Sequence, residues 1–154
     1  MRTFKKYLRE GLIAVTALGT AFFYALLVLF LISIKEYRLA KHIFIGIIAC
    51  YAFVAVLRIF YFKERPEKED YFNLFTRINA SSFPSLHTMS SMFIAIVLAN
   101  AIRKPTASIF LVALSLLIGY SRIYLKKHYL IDVVFGLILG VIASIIYLSL
   151  VSFS

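Results

Sequence analysis

Acidic residues and cysteine are scarce in this 154-residue chain. Asp and Glu together number 7, against 17 Lys and Arg, and the single cysteine is Cys50. One cysteine cannot form an internal disulfide, so cysteine usage says nothing about the cellular compartment. A metal site would require more carboxylates or histidines than the candidate positions described below supply. The scarcity of these ligands therefore argues against a metalloprotein.

Charged residues of either sign are also uncommon, at 16% of the chain, whereas hydrophobic residues make up 62%. Soluble domains are about half apolar and about a quarter charged, so this composition indicates a membrane protein. A net charge of +10 in so apolar a chain favours contact with anionic headgroups or phosphate. The chain lacks the soluble basic surface and the stacking platform of a nucleic-acid-binding protein, so no nucleic-acid partner is expected.

Long apolar runs predict five membrane-spanning helices, because about 20 apolar residues cross the roughly 30 Å hydrocarbon core. A short amphipathic helix at residues 1–9 and a short interfacial helix at 71–78 complete the expected elements. The fold class is therefore all-α, a polytopic transmembrane bundle that forms one integral-membrane domain over residues 1–154. The five predicted spans are 12–33, 42–62, 85–102, 106–124 and 129–152.

Three clusters of charged and polar residues lie at the ends of these spans. Charges placed in membrane spans cost about 2.5–3.5 kcal/mol each on insertion scales, so such residues are candidates for function. With five spans, the connectors 63–83 and 125–129 share one membrane face with the N-terminus. All three clusters fall on that face, and we therefore expect them to form one site.

The last cluster contains His128 and Asp132, which are separated by four residues and are therefore neighbours on a helix. A carboxylate there accepts a proton from one imidazole nitrogen and leaves the other nitrogen free to attack. The alternative is that Asp132 only caps or charges the start of the last helix.

The middle cluster places His87 in the first turn of its helix, close to Pro84 and Ser85. Proline at a helix start, followed by free backbone amides, makes an anion site. A histidine at this position can donate a proton to a leaving oxygen. The alternative is an ordinary capped helix start with a histidine at the membrane interface.

The arginines Arg58, Arg65 and Arg122 carry planar donor forks that suit phosphate oxygens. For any one of them, the alternative is a side chain that extends from a span end to the membrane surface. Three arginines, two histidines, a serine and an aspartate on one face together favour a phosphate group held by cations while a histidine attacks it.

These residues form three ordered patterns that resemble the signature of the type 2 phosphatidic acid phosphatases. That signature is Lys-x6-Arg-Pro, then Pro-Ser-Gly-His, then Ser-Arg-x5-His-x3-Asp. The corresponding segments are Arg58-x6-Arg65-Pro66, Pro84-Ser85-Leu86-His87 and Ser121-Arg122-x5-His128-x3-Asp132. Two positions depart from the signature: Arg58 replaces lysine and preserves the charge, and Leu86 replaces glycine.

The resemblance implies a role for each matched residue. His128 would form a phosphohistidine oriented by Asp132, and His87 would protonate the leaving lipid oxygen and later help to activate water. No metal, no cofactor and no obligatory protein partner is expected. The phosphoryl oxygens would be held by Arg58, Arg65, Ser85, Leu86 (through its backbone amide) and Arg122.

The resemblance also implies a lipid phosphatase of the bacterial inner membrane whose site faces the periplasm or the exterior. The charge bias alone predicts the reverse, because most Lys and Arg lie on the site face and basic loops favour the cytoplasm. The expected substrates are lipid A 1-phosphate or undecaprenyl diphosphate, with phosphatidylglycerol phosphate as a third candidate. A lipid phosphotransferase that uses the same histidine, or a non-catalytic module that binds anionic lipid, are the alternative functions.

Overall fold

The computed structural model describes residues 2–151, in which every regular element is an α-helix. This confirms the predicted all-α fold. The helices are α1 (Arg2–Ala17), α2 (Ala21–Ser33), α3 (Tyr37–Phe60), α4 (Leu74–Ala80), α5 (Leu86–Ile102), α6 (Pro105–Tyr124) and α7 (Leu130–Leu150).

Helix α5 lies at the centre and packs against α3, α6 and α7, while α2 packs against α3 and α1 against α6. Two glycines on α7 allow its close approach to α5. A Cβ atom would lie 2.7 Å from the Ser85 carbonyl oxygen at Gly136, and 2.6 Å from that of Met89 at Gly140. Small residues spaced four apart let helix backbones meet in this way in membranes. Asp132 lies one turn before Gly136, so the same contact brings it beside the start of α5.

Within the described chain, α3, α6 and α7 are each long and apolar enough to cross a membrane, and the bent pair α1–α2 can count as a fourth span. The outward faces of these helices carry many exposed large hydrophobic side chains, as expected for contact with lipid. Helix α5 is apolar but has 17 residues. It nevertheless runs from the site end of the bundle to the short turn before α6. The protein is therefore an integral membrane protein.

The predicted first span at 12–33 is broken, which corrects the sequence-based assignment. Helix α1 continues from the N-terminal region to Ala17 instead of ending near residue 9, and α2 begins after Thr20 at a bend of 55°. The Thr20 hydroxyl donates to the Ala17 carbonyl at 2.7 Å and accepts from the Phe23 amide at 3.3 Å. One side chain therefore closes α1 and caps α2, satisfying backbone groups that a break would expose.

The connector between α3 and α5 contains the short helix α4, close to the predicted helix at 71–78. It begins at Leu74 because Asn73 caps it: the Asn73 side chain accepts from the Thr76 amide at 2.9 Å, and the Thr76 hydroxyl accepts from the Asn73 amide at 3.0 Å. This reciprocal cap fixes the helix start. Helix α4 and the residues after it then present backbone carbonyls to the arginines of the site.

Candidate active site

Arg58 is the buried basic residue in the last turn of α3. Its two terminal nitrogens donate to backbone carbonyls, Nη1 to Ile78 at 3.1 Å and Nη2 to Pro84 at 2.7 Å. These bonds tie the end of α3 to α4 and to the start of α5. They also fix the plane of the guanidinium group.

Arg65 lies in the connector after α3 and is held in a similar way. Its Nη1 donates to the Glu69 carboxylate at 2.6 Å, and its Nη2 donates to the Asn79 carbonyl at 2.6 Å. Lys127 also donates to Glu69, at 3.2 Å. Burial alone would raise the pKa of Glu69, but the positive charge of Arg65 and the hydrogen bonds from Lys127 and Arg65 lower it below its usual value. Glu69 is therefore an anion that positions Arg65.

Arg122 is the buried basic residue in the last turn of α6. Its Nη1 donates to the Thr16 hydroxyl at 3.0 Å, so the end of α1 holds this arginine. The three predicted phosphate-binding arginines thus come from three segments of the chain and meet at one end of the bundle.

Each of these three guanidinium groups keeps one buried donor without a partner. Among the described residues, the buried side-chain nitrogen and oxygen atoms that lack a hydrogen bond are the Nε atoms of Arg58, Arg65 and Arg122. An unpaired buried donor costs about 1–3 kcal/mol, so such atoms are rare and require an explanation. Three of them on cations that act electrostatically on the same two histidines are the signature of a site for an anion.

His128 lies in the turn between α6 and α7 and is buried. Its ring Nδ1 is 2.7 Å from the Ser82 carbonyl oxygen. A carbonyl oxygen can only accept, so Nδ1 carries the proton and Nε2 keeps its lone pair. Burial, and then the charges of Arg122, Arg65 and Arg58, lower the pKa of His128 to about 2. The ring is therefore neutral at physiological pH, as a nucleophile must be.

The position of His128 follows from the way α6 ends. The amides of Lys127 and His128 both donate to the Arg122 carbonyl, at 2.9 and 3.2 Å, and Lys126 adopts a left-handed conformation with φ of 56°. Such a closed turn satisfies the last carbonyls of a helix. It also places the histidine directly over the end of α6, beside Arg122.

Asp132 is fully buried in the first turn of α7, and its partners correct the sequence-based prediction. We predicted that its carboxylate would accept from His128. Its oxygens instead accept from Lys63 Nζ at 2.5 Å, from the Ser82 hydroxyl, and from the Tyr129 amide at 2.9 Å. The carboxylate turns back to cap its own helix, which draws it away from the imidazole ring. Asp132 therefore caps its helix, as the alternative expected, but it also binds Lys63 and Ser82, so the cap is not its only role.

Ser82 connects the two residues that the sequence paired directly. Its hydroxyl donates to Asp132, and its backbone carbonyl accepts from His128. Its own amide donates to the Lys63 carbonyl at 2.7 Å. Asp132 thus acts on His128 through Ser82 rather than by contact.

Lys63 and Ser82 are the site residues that sequence reasoning missed. One signal could have found the lysine: a carboxylate in an apolar segment requires a compensating cation, and the basic connector after α3 supplies candidates. The ammonium group also lies 4.8 Å from the centre of the Tyr129 ring, a cation–π distance. No comparable signal marks Ser82, because it interacts partly through its backbone.

The start of α5 carries the remaining predicted residues. The Ser85 amide donates to the Asp132 carbonyl at 3.0 Å, and the Ser85 hydroxyl pairs with Thr88 Oγ1 at 2.8 Å. The side chain of Leu86 packs against the hydrophobic core, so the departure from glycine does not fill the site. Arg122, Arg65 and Arg58 act electrostatically on His87 as they do on His128. The structure therefore brings all eight predicted residues to one end of the bundle.

Fold and site together define a helical integral membrane protein with an arginine-rich anion site beside two histidines. Among residues 2–151, no three His, Cys, Asp or Glu side chains group so as to hold a metal ion. The model of the PAP2 superfamily matches residues 40–154, which is most of the chain. The chain belongs to the PAP2 superfamily.

Two solved structures share this architecture. LpxE of Aquifex aeolicus superposes with a TM-score of 0.78 and 30% sequence identity, covering 93% of this chain and 86% of LpxE. A PAP2-type phosphatidylglycerolphosphate phosphatase of Bacillus subtilis superposes with a TM-score of 0.76 and 23% identity, covering 94% of this chain and 76% of that protein. The second similarity, at this identity, shows the fold alone.

A curated relative matches a shorter segment. The lipid A 4'-phosphatase of Bacteroides thetaiotaomicron is 43% identical over 58 residues. The match spans 38% of this chain and 26% of that protein, so the chain aligns with about a quarter of its relative.

Proposed function

We propose that this protein is a membrane lipid phosphatase that uses His128 as its nucleophile and forms a phosphohistidine. The observation that carries the proposal is the set of three buried, unpaired arginine Nε donors around a buried neutral histidine. A phosphate group has the charge and the acceptor oxygens to satisfy all three donors. Membership of the PAP2 superfamily supports the same reaction class.

In the first step, the phosphate of the lipid binds among Arg58, Arg65 and Arg122. Nε2 of His128 attacks phosphorus while the bond from phosphorus to the lipid oxygen breaks. The negative charge of the bound phosphate offsets that of the arginines and stabilises protonated His87, which donates its proton to that oxygen, and the lipid product leaves. The ring of His128 becomes cationic, and the Ser82 carbonyl and the nearby Asp132 carboxylate stabilise it. The arginines stabilise the charge that spreads over the phosphoryl oxygens.

In the second step, water attacks phosphorus and the bond from phosphorus to His128 breaks. His87, now neutral, accepts a proton from that water. Inorganic phosphate leaves, and both histidines return to their starting states. Guanidinium groups supply the positive charge around the phosphate, so the proposed reaction assigns no step to a metal.

We favour lipid A 1-phosphate or undecaprenyl diphosphate as substrate, with phosphatidylglycerol phosphate as a third possibility. The segment shared with a lipid A 4'-phosphatase supports lipid A as the lipid, but that relative acts at the 4'-position and does not distinguish the 1-phosphate. The exposed apolar faces of the bundle support a substrate held within the bilayer. We place the protein in the bacterial inner membrane with the site facing the periplasm or the exterior.

The test is phosphate release by the purified protein from a panel of these lipids. The wild type releases inorganic phosphate, and His128→Ala abolishes release while the thermal unfolding midpoint in detergent stays unchanged. Retained release by His128→Ala would refute the nucleophile. A phosphorylated lipid acceptor in place of inorganic phosphate would identify a phosphotransferase, and no turnover of any lipid would favour a binding protein.

Metal independence is tested in the same assay. Incubation with excess EDTA, followed by its removal, should leave the rate of phosphate release unchanged. Loss of activity that a divalent cation restores would show that a metal takes part.

A further inference from the structure

The break between α1 and α2 lies against the site, although it precedes residues 40–154, where the family model matches. Helix α1 packs along α6, whose last turn contains Arg122. The amides of Leu18, Gly19 and Thr20 each donate to the carbonyl three residues earlier. This closed turn gives the break a fixed shape. Two of its contacts reach groups that the proposed reaction uses.

The first contact joins Thr16, in the last turn of α1, to Arg122. The Thr16 hydroxyl accepts from Nη1 of Arg122 at 3.0 Å, while Nε of the same guanidinium is buried and unpaired. Because the guanidinium group is planar and rigid, fixing Nη1 also fixes the direction of Nε. The hydroxyl is neutral, so it orients Arg122 without cancelling the positive charge that a phosphate needs.

The second contact joins Gly19 to His87. A Cβ atom at Gly19 would lie 3.1 Å from Cδ2 and 3.2 Å from Cβ of His87, and 3.1 Å from Cγ2 of Ile118. These distances are shorter than ordinary van der Waals contact between carbon atoms. The backbone of the break therefore lies directly against the imidazole ring. Any side chain at residue 19 would press on His87.

We infer that the α1–α2 break is a wall of the catalytic site, in which Thr16 positions Arg122 and Gly19 leaves the space that His87 occupies. The inference rests on the proposed function, because it assigns Arg122 to the phosphate and His87 to the leaving oxygen. Thr16 and Gly19 would then be positioning residues, and both lie before residue 40, where the match to the family model begins.

Thr16→Val tests the first contact, because it keeps the shape of the side chain and removes the hydroxyl. When a substitution removes a hydrogen bond to a charged group that stabilises the transition state, the rate falls by about tenfold or more. We expect kcat/KM for phosphate release to fall by about tenfold, and inhibition by orthovanadate to weaken in parallel. Thr16→Ser, which restores the hydroxyl, should recover both values.

Unchanged kcat/KM and vanadate inhibition in Thr16→Val would overturn the role of Thr16. Thr16→Ser behaving like Thr16→Val would also overturn it, since packing alone would then account for the effect. The thermal unfolding midpoint of both variants is measured in the same detergent. The comparison of Thr16→Val with Thr16→Ser does not depend on whether a variant at Gly19 folds.

Gly19→Ala tests the second contact with two phosphomonoesters that share one alkyl tail. One has an alkyl alcohol as leaving group, and the other has a nitrophenol, which leaves without protonation. General acid catalysis contributes roughly 100-fold or more where the leaving group requires a proton. We expect Gly19→Ala to slow the alkyl ester by about tenfold and the nitrophenyl ester by less than about twofold.

Gly11→Ala is the matched control, because nothing lies within 4 Å of a Cβ atom at Gly11. It should leave both rates unchanged. Equal losses on the two esters in Gly19→Ala, or no loss on either, would overturn the role of Gly19. Activity retained by His128→Ala would refute the proposed function itself. If that variant is inactive but Thr16→Val and Gly19→Ala behave as wild type, only the present inference fails.

Discussion

At the residue scale, the site depends on a carboxylate that is fully buried and on the lysine that compensates it. Lys63 Nζ lies 2.5 Å from Asp132, and the side chain of the lysine is one-quarter exposed whereas that of the aspartate is not exposed. Removing one partner of a buried pair is costly because the other charge stays behind without water. Lys63 therefore compensates the buried carboxylate, which in turn holds Ser82 against His128.

We expect Lys63→Met to lower the free energy of unfolding by about 1–3 kcal/mol, less than for a fully buried pair because Lys63 is partly solvated. The rate of phosphate release should fall as well, because Ser82 loses a fixed partner. Lys63→Arg keeps the charge and is the control. Thermal unfolding in detergent and kcat give the two readouts. A Lys63→Met protein as stable and as active as Lys63→Arg would contradict this account.

His128 contributes to the acid behaviour of the protein. Its pKa in the folded state is about 2, whereas an unfolded chain protonates histidine near about 6.5. Below about pH 6.5, His128 therefore binds a proton in the unfolded state but not in the folded state. This difference makes the protein less stable as the pH falls. We expect the thermal unfolding midpoint to fall less between pH 7.5 and pH 5 in His128→Asn than in the wild type. Identical pH dependence in both proteins would show that His128 is not held neutral.

At the scale of the elements, the approach of α7 to α5 sets the geometry of the site. The Ser85 amide donates to the Asp132 carbonyl at 3.0 Å, one turn from Gly136. Because a Cβ atom at Gly136 would meet the Ser85 carbonyl, which belongs to the backbone, no side-chain rotation can relieve the clash. The two helices would have to separate where they hold the catalytic groups.

We therefore expect Gly136→Ala to destabilise the fold by about 1–3 kcal/mol, the usual cost of overpacking, and to reduce phosphate release as well. Gly11→Ala, which meets nothing, should change neither. The thermal unfolding midpoint and the rate of lipid turnover, measured on both variants, test these two effects. An active and fully stable Gly136→Ala protein would mean that the helices tolerate a wider spacing.

The same elements show what a sequence can predict. Apolar runs located α3, α5, α6 and α7, because the membrane requires each span to be mostly apolar. The break at Gly19 stayed hidden, since one glycine and one threonine in an uncharged run are compatible with a continuous helix. Spacing predicted that His128 and Asp132 are neighbours on one helix, whereas His128 lies in the turn before α7. It could not show that Asp132 caps its own helix, because that choice depends on Ser82 and Lys63, which reach the site through tertiary packing.

At the scale of the whole molecule, one end of the bundle contains several buried hydrogen-bond donors that lack a partner. Arg58 lies in the last turn of α3, Arg122 in the last turn of α6, and Arg65 in the connector after α3. Each has a buried Nε atom that lacks a hydrogen-bond partner. The arginines also repel one another, since opposing acids are fewer than cations here. The unpaired donors and the mutual repulsion of the arginines destabilise the fold, and a bound anion would remove both effects. Binding to the folded state alone raises its stability, by about 2.7 kcal/mol at 100 times the dissociation constant.

Inorganic phosphate or orthovanadate should therefore raise the thermal unfolding midpoint in a concentration-dependent manner, while chloride at equal ionic strength should not. Arg122→Met should abolish most of the shift, because it removes one of the three donors and its charge. His128→Asn should retain the shift, because in the proposed reaction the imidazole attacks phosphorus but does not hold the anion in the ground state. Stabilisation that persists in Arg122→Met would place the bound anion elsewhere, and the three unpaired donors would then need another explanation.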